Sequence, residues 1–263
     1  MNILVCVKRV PETSEADIAL DTSGKDIDKS GLAFDLNEWD SYAIEEAIQL
    51  KEKLGGTVIV LSVGGEDSNE SLRKCLAMGA DDALRLTDAA FSGSDGFATA
   101  KILAEAIRKY PYDLILTGAQ AEDDGYGQVG ITVAKLLGVP YASLVNHFEV
   151  KDRKVKAHRE LEGGLEEVYE IDLPALLTLQ TGINEPRYVS IMGIRKVAKK
   201  EIKVMGASDL NLKPEEVGLS GSHIQLEKVF FPPVGQGAVM IEGKPEEISL
   251  KVLDIMKDKG GLA

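Results

Sequence analysis

A glycine-rich loop with the sequence GAQAEDDGYGQVG, at residues 118–130, is the part of the chain best suited to bind a ligand. It follows a short apolar run, DLILT, and leads into the helical pattern QVGITVAKLLG. The backbone N–H groups of Gly127, Gln128 and Val129 would lie at the N-terminus of this helix, where the helix dipole and unpaired N–H groups attract anions. We therefore expect these three residues to bind a phosphate group.

The same loop carries acidic side chains, which a phosphate alone would not attract. The carboxylate of Asp123 or Asp124 can accept hydrogen bonds from ribose hydroxyls, although acids near a helix N-terminus also serve as simple caps. Backbone N–H groups near Cys6 and Val63, where two apolar strands are predicted to end, would meet the edge of an adenine base. Asn37 precedes a predicted helix, so it is either an N-cap or a nucleotide contact.

Other kinds of site are not indicated by the sequence. The three histidines, His147, His158 and His223, are not clustered, and no cysteine–histidine spacing suits a metal, so we expect neither zinc nor iron. The chain lacks a Gly-x-Ser-x-Gly nucleophile motif, a Gly-x-x-x-x-Gly-Lys-Ser/Thr motif and a strict Gly-x-Gly-x-x-Gly fingerprint after its first strand. Cys6 and Cys75 lie in apolar segments and are expected to be buried free thiols.

The charge balance limits the partners of the chain. Its formal net charge is −13 over 263 residues, which disfavours binding to nucleic acid or to an anionic membrane surface. No segment approaches the roughly 18 consecutive apolar residues of a transmembrane helix, and MNILVCVKRVPE does not resemble a signal peptide. We expect a cytoplasmic protein without direct membrane insertion.

A basic stretch near the C-terminal third departs from this acidic average. Its cationic residues are Arg187, Arg195, Lys196, Lys199, Lys200 and Lys203. Apolar Ile191, Met192 and Ile194 lie among them, and an exposed apolar anchor surrounded by charge is typical of transient docking surfaces. The stretch is therefore either a docking surface for another protein or an ordinary solvated surface.

The elements that would position these residues alternate along the first half of the chain. Apolar runs predict buried strands at 2–8, 57–65, 83–87 and 112–118. Helical spacing of apolar residues predicts helices at 38–54, 68–80, 95–110 and 128–138. Because parallel strands need crossover connections, this alternation predicts an α/β fold, a parallel sheet flanked by helices.

The pattern changes after the last of these helices. Apolar and polar residues alternate at about 144–172, with turns at Asp152-Arg153 and Gly163-Gly164, which predicts an antiparallel ribbon. One more buried strand is predicted at 173–180.

From residue 184 the apolar residues show no regular helical or strand spacing, and the chain is expected to be irregular until an amphipathic helix at 246–260. A long extension without its own core usually packs on a partner. We therefore interpret residues 1–186 as an α/β nucleotide-binding core that includes the ribbon. Residues 187–263 would form an extended C-terminal arm.

Several motifs closely resemble the β-subunit family of electron transfer flavoproteins. They are VCVKRV, AIEEAIQLKEK, LAMGAD, ELEGGLEEVYEIDLPALLTL and NEPRYVSIMGIRKVAKK, in the family's order and across essentially the whole chain. The resemblance implies an adenine nucleotide alpha hydrolase-like core and a heterodimer with an α subunit, which holds the redox FAD and which residues 187–263 would wrap. Such a heterodimer accepts electrons from acyl-CoA-type dehydrogenases and passes them to a quinone oxidoreductase or another acceptor.

The family also implies an adenine nucleotide in the β subunit. It is a structural AMP in one subgroup and, in the electron-bifurcating subgroup, a second FAD that takes electrons from NADH. The family's nucleotide residues match Asp123, Asp124, Gly127, Gln128 and Val129, with supporting contacts at Cys6, Asn37 and Val63.

The loop departs from both subgroups. Asp123-Asp124-Gly125-Tyr126 stands where bifurcating members have Asp-Gly-Asp-Thr, and Gly127-Gln128-Val129 stands where AMP-binding members have Asn-Gln-Thr. AFSGSDGFATA, at 90–100, resembles the bifurcating subgroup. We expect AMP, with a second FAD as the alternative. A stand-alone adenine-nucleotide-binding module is a further alternative, against which the long extension argues.

The resemblance also implies residues that contact other proteins. The family's recognition loop carries an apolar residue, usually leucine, that fills a dehydrogenase pocket, and Ile191 occupies its place beside Met192 and Arg195. Glu160 matches a family glutamate that helps release the mobile flavin domain. The chain would thus be an electron-carrier subunit, and we assign it no catalytic residue.

Overall fold

The computed structural model describes residues 1–233, 235 and 237–260. The strands are β1 (Asn2–Cys6), β2 (Arg9–Pro11), β3 (Phe34–Leu36), β4 (Thr57–Val63), β5 (Asp82–Leu86), β6 (Leu114–Gly118), β7 (Tyr141–Lys151), β8 (Lys154–Leu161), β9 (Leu165–Asp172), β10 (Ala175–Leu179) and β11 (Lys203–Met205). The helices are α1 (Glu38–Leu54), α2 (Asn69–Met78), α3 (Gly96–Ile107), α4 (Val129–Leu137), α5 (Ile191–Val197), α6 (Gly218–Gly221) and α7 (Pro245–Asp258).

One nine-stranded sheet organises the chain, in the order β11-β5-β4-β1-β6-β10-β7-β8-β9. Neighbours from β11 to β7 are parallel, and β8 and β9 extend the sheet as an antiparallel ribbon. β2 and β3 form a separate antiparallel pair. The predicted α/β fold, a parallel sheet flanked by helices with an antiparallel ribbon, is confirmed.

Two apolar cores cover the faces of this sheet. Along β1, Ile3 and Val5 pack with α1 and α2, whereas Leu4 and Cys6 pack with α3 and α4. All four side chains are buried. Burial on both faces explains why the central strands read as continuous apolar runs rather than as alternating patterns.

The chain after residue 184 is more regular than the sequence predicts. The Ser190 hydroxyl accepts a hydrogen bond from the Gly193 N–H at 3.1 Å and begins α5. Strand β11 pairs in parallel with β5 and forms one edge of the sheet. The expectation of irregular chain is wrong for these two elements, because helices of two turns and strands of three residues are too short to show a period.

An extended segment begins at residue 222, within the range 187–263 that the sequence assigns to an arm. The described residues between 222 and 244 have no regular secondary structure, and α7 has no buried residue. Its exposed apolar side chains are Leu250, Val252, Leu253, Ile255 and Met256. Within the described ranges, no helix combines the length and apolar character needed to cross a membrane.

Candidate functional site

A cavity of about 650 Å³ opens at the C-terminal edge of the parallel strands. The ends of β1, β4 and β6 and the first residues of α3 and α4 form its wall. Ligands of open α/β sheets bind at this edge. Seven of the eight residues predicted to bind a nucleotide line the cavity, namely Cys6, Asn37, Val63, Asp124, Gly127, Gln128 and Val129.

Asn37 holds the loop that follows β6. The side chain is 1 % exposed, and its Nδ2 donates to the Gln120 carbonyl oxygen at 2.9 Å. Its Oδ1 accepts from the Glu122 N–H at 3.1 Å. Asn37 occupies the N-cap position of α1, but its side chain makes no capping hydrogen bond. Asn37 is therefore the N-cap of α1 by position, as one alternative predicts, but its side-chain amide holds the loop beside the cavity instead of capping the helix.

Asp40 joins the ends of two central strands. Its carboxylate accepts hydrogen bonds from the N–H groups of Lys8, at 2.7 Å, and Gly118, at 3.0 Å. Burial raises the pKa of Asp40 to about 7, although these two hydrogen bonds oppose the rise. Asp40 is not among the residues predicted from the sequence, although one signal was present, an acid in line with the apolar positions Ala43 and Ala47 of α1.

The N-terminus of α4 offers unpaired backbone donors. Within the described part of the chain, the N–H groups of Gly127 and Gln128 donate no hydrogen bond, and Gln128 does not cap the helix through its side chain. Gly127 has φ +60°, and a Cβ there would lie 3.2 Å from the Ala119 carbonyl oxygen. The glycine conformation and the free N–H groups make this turn suitable for an anion.

Two of the three acidic residues of the loop, Asp123 and Asp124, are paired with Lys8, a contact that no local sequence pattern predicts. The Lys8 ammonium donates to Asp123 at 2.6 Å and to Asp124 at 3.0 Å. Burial alone would lower the pKa of Lys8, but the hydrogen bonds and charges of the two carboxylates outweigh it and raise the pKa. Asp123 is the one predicted nucleotide residue that does not line the cavity.

The N-terminus of α3 is already capped by the protein. The Asp95 carboxylate accepts hydrogen bonds from the N–H groups of Ala98 at 2.8 Å, His223 at 2.7 Å and Ile224 at 2.9 Å. Burial would raise the pKa of Asp95, but these hydrogen bonds lower it overall. Asp95 and Ile224 both line the cavity, so the start of the arm segment from residue 222 lies at its rim.

The two cysteines are buried and free, as predicted. Burial raises the pKa of Cys6 to about 12, with a smaller contribution from the nearby Asp40. Burial also raises the pKa of Cys75. Across the described ranges, histidine, cysteine and acidic side chains form no cluster of three or more that could hold a metal ion.

The predicted partner-docking residues lie outside the cavity. Ile191 is 70 % exposed and Met192 is 64 % exposed at the start of α5, and Arg195 is exposed on the same helix. Glu160 is exposed on β8, opposite Glu166 of β9, and so does not share an element with Ile191, Met192 and Arg195 of α5.

Arg187 differs from the basic surface residue that the sequence suggests. Its guanidinium donates from Nε to Glu45 at 2.8 Å and from Nη1 to Glu52 at 2.8 Å. Arg187 therefore anchors the chain before α5 to α1 and is not a free cation for docking.

Comparisons with known proteins agree on one family. The profile described as "Electron transfer flavoprotein domain" matches residues 26–210. The chain is 40% identical to the electron transfer flavoprotein subunit beta of Methylophilus methylotrophus, over 99% of this chain and 100% of that protein. It is 39% identical to the caffeyl-CoA reductase-Etf complex subunit CarD of Acetobacterium woodii, over 98% of this chain and 99% of that protein. It is 37% identical to protein FixA of Azotobacter vinelandii, over 92% of this chain and 88% of that protein.

Proposed function

The chain belongs to the electron transfer flavoprotein family, among relatives that are β subunits, and from this we propose that it is the β subunit of an electron-carrying heterodimer. The observation that carries the proposal is the cavity at the α4 N-terminus, whose unpaired N–H groups suit an adenine nucleotide. The α subunit would hold the FAD, whose flavin supplies the redox chemistry when bound. Donors would be acyl-CoA-type dehydrogenases, and a quinone oxidoreductase or another protein would be the acceptor.

We propose that the nucleotide in this cavity is AMP. The free N–H groups of Gly127 and Gln128 suit a phosphate, and the ends of β1 and β4 near Cys6 and Val63 suit an adenine edge. Only one of the two adjoining helix N-termini is free, because Asp95 already accepts hydrogen bonds at α3. A second phosphate at the α3 N-terminus would be repelled by the negative charge of that carboxylate. This donor set therefore fits a single phosphate.

A second FAD is the alternative occupant, and the apolar part of the cavity beyond the nucleotide residues is the observation that supports it. Beyond the nucleotide residues, the wall continues along apolar Leu86, Phe91, Leu103 and Ile224. An apolar compartment of this kind suits an aromatic ring. One relative is named as a subunit of a caffeyl-CoA reductase-Etf complex, which also supports a reductase-associated role. With this occupant the heterodimer would oxidise NADH.

The surface of α5 is the proposed contact for the electron donor. Ile191 and Met192 present apolar side chains to solvent, and Arg195 adds charge beside them. This combination suits a transient interface. Residues 187–263 would hold the α subunit through the exposed apolar face of α7, and Glu160 on the ribbon would contact its mobile flavin domain.

Mass spectrometry of released nucleotides tests the proposal. The full chain is purified together with its α subunit and denatured, and the ratios of AMP and FAD to protein are measured. We expect one AMP and one FAD per heterodimer. Two FAD and NADH-dependent flavin reduction would support the alternative. A chain that is monodisperse alone, binds no α subunit and holds no flavin would be a stand-alone nucleotide-binding module and would contradict the proposal.

A further inference from the structure

The cavity is acidic, which is unexpected for a phosphate site. Among the described residues that line it, Lys8 has the one positive side chain, whereas Asp40, Asp88, Asp95 and Asp124 are acidic. The chain as a whole carries a formal charge of −13, so it supplies no general attraction for an anion. Phosphate binding at the α4 N-terminus therefore needs a local source of positive charge.

Lys8 is placed to supply this charge to the acidic part of the loop. Its side chain bridges Asp123 and Asp124, and its own N–H donates to the buried Asp40 at 2.7 Å. The residue is thus held at both ends, by α1 through its backbone and by the loop through its ammonium. Both pairs are exposed to solvent, with 41 % of the Lys8 side chain, 28 % of Asp123 and 41 % of Asp124 accessible, so salt screens them and the effect of Lys8 should decrease as ionic strength rises.

We propose that Lys8 is the positioning residue that converts the acidic loop into a phosphate site. Its single positive charge offsets one of the two negative charges of Asp123 and Asp124 and holds both carboxylates at its ammonium, so that the N–H groups of Gly127 and Gln128 can bind the phosphate against less opposing charge. The inference rests on the proposed function, since it assumes that the cavity takes an adenosine 5′-phosphate. It explains why a loop with several acids can still serve an anion.

The structure favours electrostatic neutralisation over a purely mechanical role. Asn37 already fastens the same loop through two hydrogen bonds, to Gln120 and Glu122. Removal of the Lys8 ammonium would leave that attachment in place, and the Tyr126 N–H would still donate to Asp124, but both carboxylates would lose their cationic partner at the edge of the cavity. Carboxylates without a cationic partner repel an anion bound near them. The loss should therefore fall on the phosphate rather than on the nucleoside.

Calorimetric titration of the nucleotide-free full chain with AMP and with adenosine tests this inference. For Lys8→Met we expect the Kd for AMP to rise about tenfold, with little change in the Kd for adenosine. Lys8→Arg should bind AMP as the wild type does. The triple variant Lys8→Met, Asp123→Asn, Asp124→Asn should regain most of the wild-type ratio of AMP to adenosine affinity, because the acids that oppose the phosphate are gone. The ratio is compared because any ribose contact of the two carboxylates affects both ligands equally. Lys51→Met is the matched control, since Lys51 pairs with Asp81 at 2.6 Å outside the cavity.

Each outcome separates this inference from the proposed function. Equal losses for AMP and adenosine, or no recovery in the triple variant, would overturn the role of Lys8 in charge neutralisation. Wild-type protein that binds neither ligand would instead contradict the nucleotide site itself. If Lys8→Met does not fold, the comparison moves to Asp123→Asn, Asp124→Asn with and without Lys8→Met. A further tenfold loss on removal of Lys8 from that neutral background would overturn the inference.

Discussion

Asp40 shows how one side chain connects the cavity to the stability of the sheet. It lies on α1, yet its two carboxylate oxygens accept hydrogen bonds from the N–H groups of Lys8, just beyond β1, and of Gly118, at the end of β6. A Cβ at Gly118 would lie 2.5 Å from Asp40 Oδ1, so the carboxylate can approach this strand end only because the residue is glycine. Both strand ends border the cavity. The protonation state of one buried acid therefore affects the edge at which the ligand would bind.

The raised pKa of Asp40 predicts a specific pH dependence of stability. Its folded pKa of about 7 lies above the usual value of 3.8, so the folded state binds this proton more tightly than the unfolded state. The contribution is fully present below about pH 4 and is lost as the pH rises through about 7. We expect Asp40→Asn to be less stable than the wild type but to lose less stability between pH 5 and pH 8. Urea unfolding of the nucleotide-free chain at several pH values measures this difference.

Asp88→Asn is the control for this experiment. The Asp88 carboxylate also accepts two backbone N–H groups, from Ala90 at 3.0 Å and Ala207 at 2.9 Å, but it is exposed. Those hydrogen bonds lower the pKa of Asp88, so its charge does not change between pH 5 and pH 8. Its substitution should leave the slope of stability against pH unchanged. A wild-type slope retained in Asp40→Asn would show that another group titrates.

At the scale of elements, α5 presents its apolar side chains outward because other contacts hold it to the core. Val189 and Val197, at either end of the helix, pack against the core that contains α2. Arg73 of α2 donates to the Val197 carbonyl oxygen at 3.0 Å. None of the residues of α5 itself is buried. Ile191 and Met192 are therefore not needed for folding, which is a property expected of docking residues.

Truncation of Ile191, the proposed apolar docking residue on α5, should affect docking alone. We expect Ile191→Ala to weaken binding of the electron-donor dehydrogenase about tenfold, because an apolar side chain that fills a partner's pocket supplies much of a small interface's energy. Nucleotide content and melting temperature should not change, since Ile191 is 70 % exposed. Electron-transfer kinetics against donor concentration measure the effect. Leu54→Ala, at the exposed end of α1, is the control. Equal losses in both variants would refute a specific docking role.

The elements of the core could be predicted from the sequence, but several long-range contacts could not. Strands β1, β4 and β6 are largely apolar on both faces, and the glycine-rich loop after β6 marks the ligand edge. Lys8 and Asp124 are 116 residues apart, so neither sequence spacing nor local pattern reveals their ion pair. The same holds for Arg187 and Glu45, which are 142 residues apart. Local sequence predicts elements, whereas these charge pairs depend on the tertiary arrangement.

At the scale of the whole molecule, the chain from residue 222 onward starts at the ligand edge and then leaves the core. The Asp95 N–H donates to the Ser222 hydroxyl at 2.9 Å, and the His223 ring stacks on Phe97 with centroids 4.0 Å apart. Further along, the Val229 N–H donates to the Gly24 carbonyl oxygen at 2.9 Å. The segment 222–229 is thus attached at one end to Asp95 and Phe97 and at the other end to Gly24, before the chain continues to the exposed α7. The position of the helix proposed to hold the α subunit depends on these attachments.

Asp95 is the residue on which that attachment most depends. One of its carboxylate oxygens accepts from Ala98 within α3, and the other accepts from both His223 and Ile224. An asparagine offers a single acceptor oxygen, so Asp95→Asn can keep the helix cap or the attachment but not both. We expect the amides of His223 and Ile224 to exchange with solvent deuterium about tenfold faster in this variant, as two hydrogen bonds to a charged group are lost or weakened.

The control is Asp209→Asn, whose carboxylate accepts one backbone N–H, from Gly206 at 2.9 Å, away from the terminal segment. In this control the amide deuterium exchange of His223 and Ile224 should match that of the wild type.

Loss of attachment at Asp95 leaves the apolar face of α7 intact but increases the range of positions that α7 can take, so the entropic cost of ordering it on a partner rises. The α subunit should therefore bind Asp95→Asn more weakly and dissociate from it faster. Faster exchange with unchanged subunit affinity would show that the arm binds its partner independently of the ligand edge.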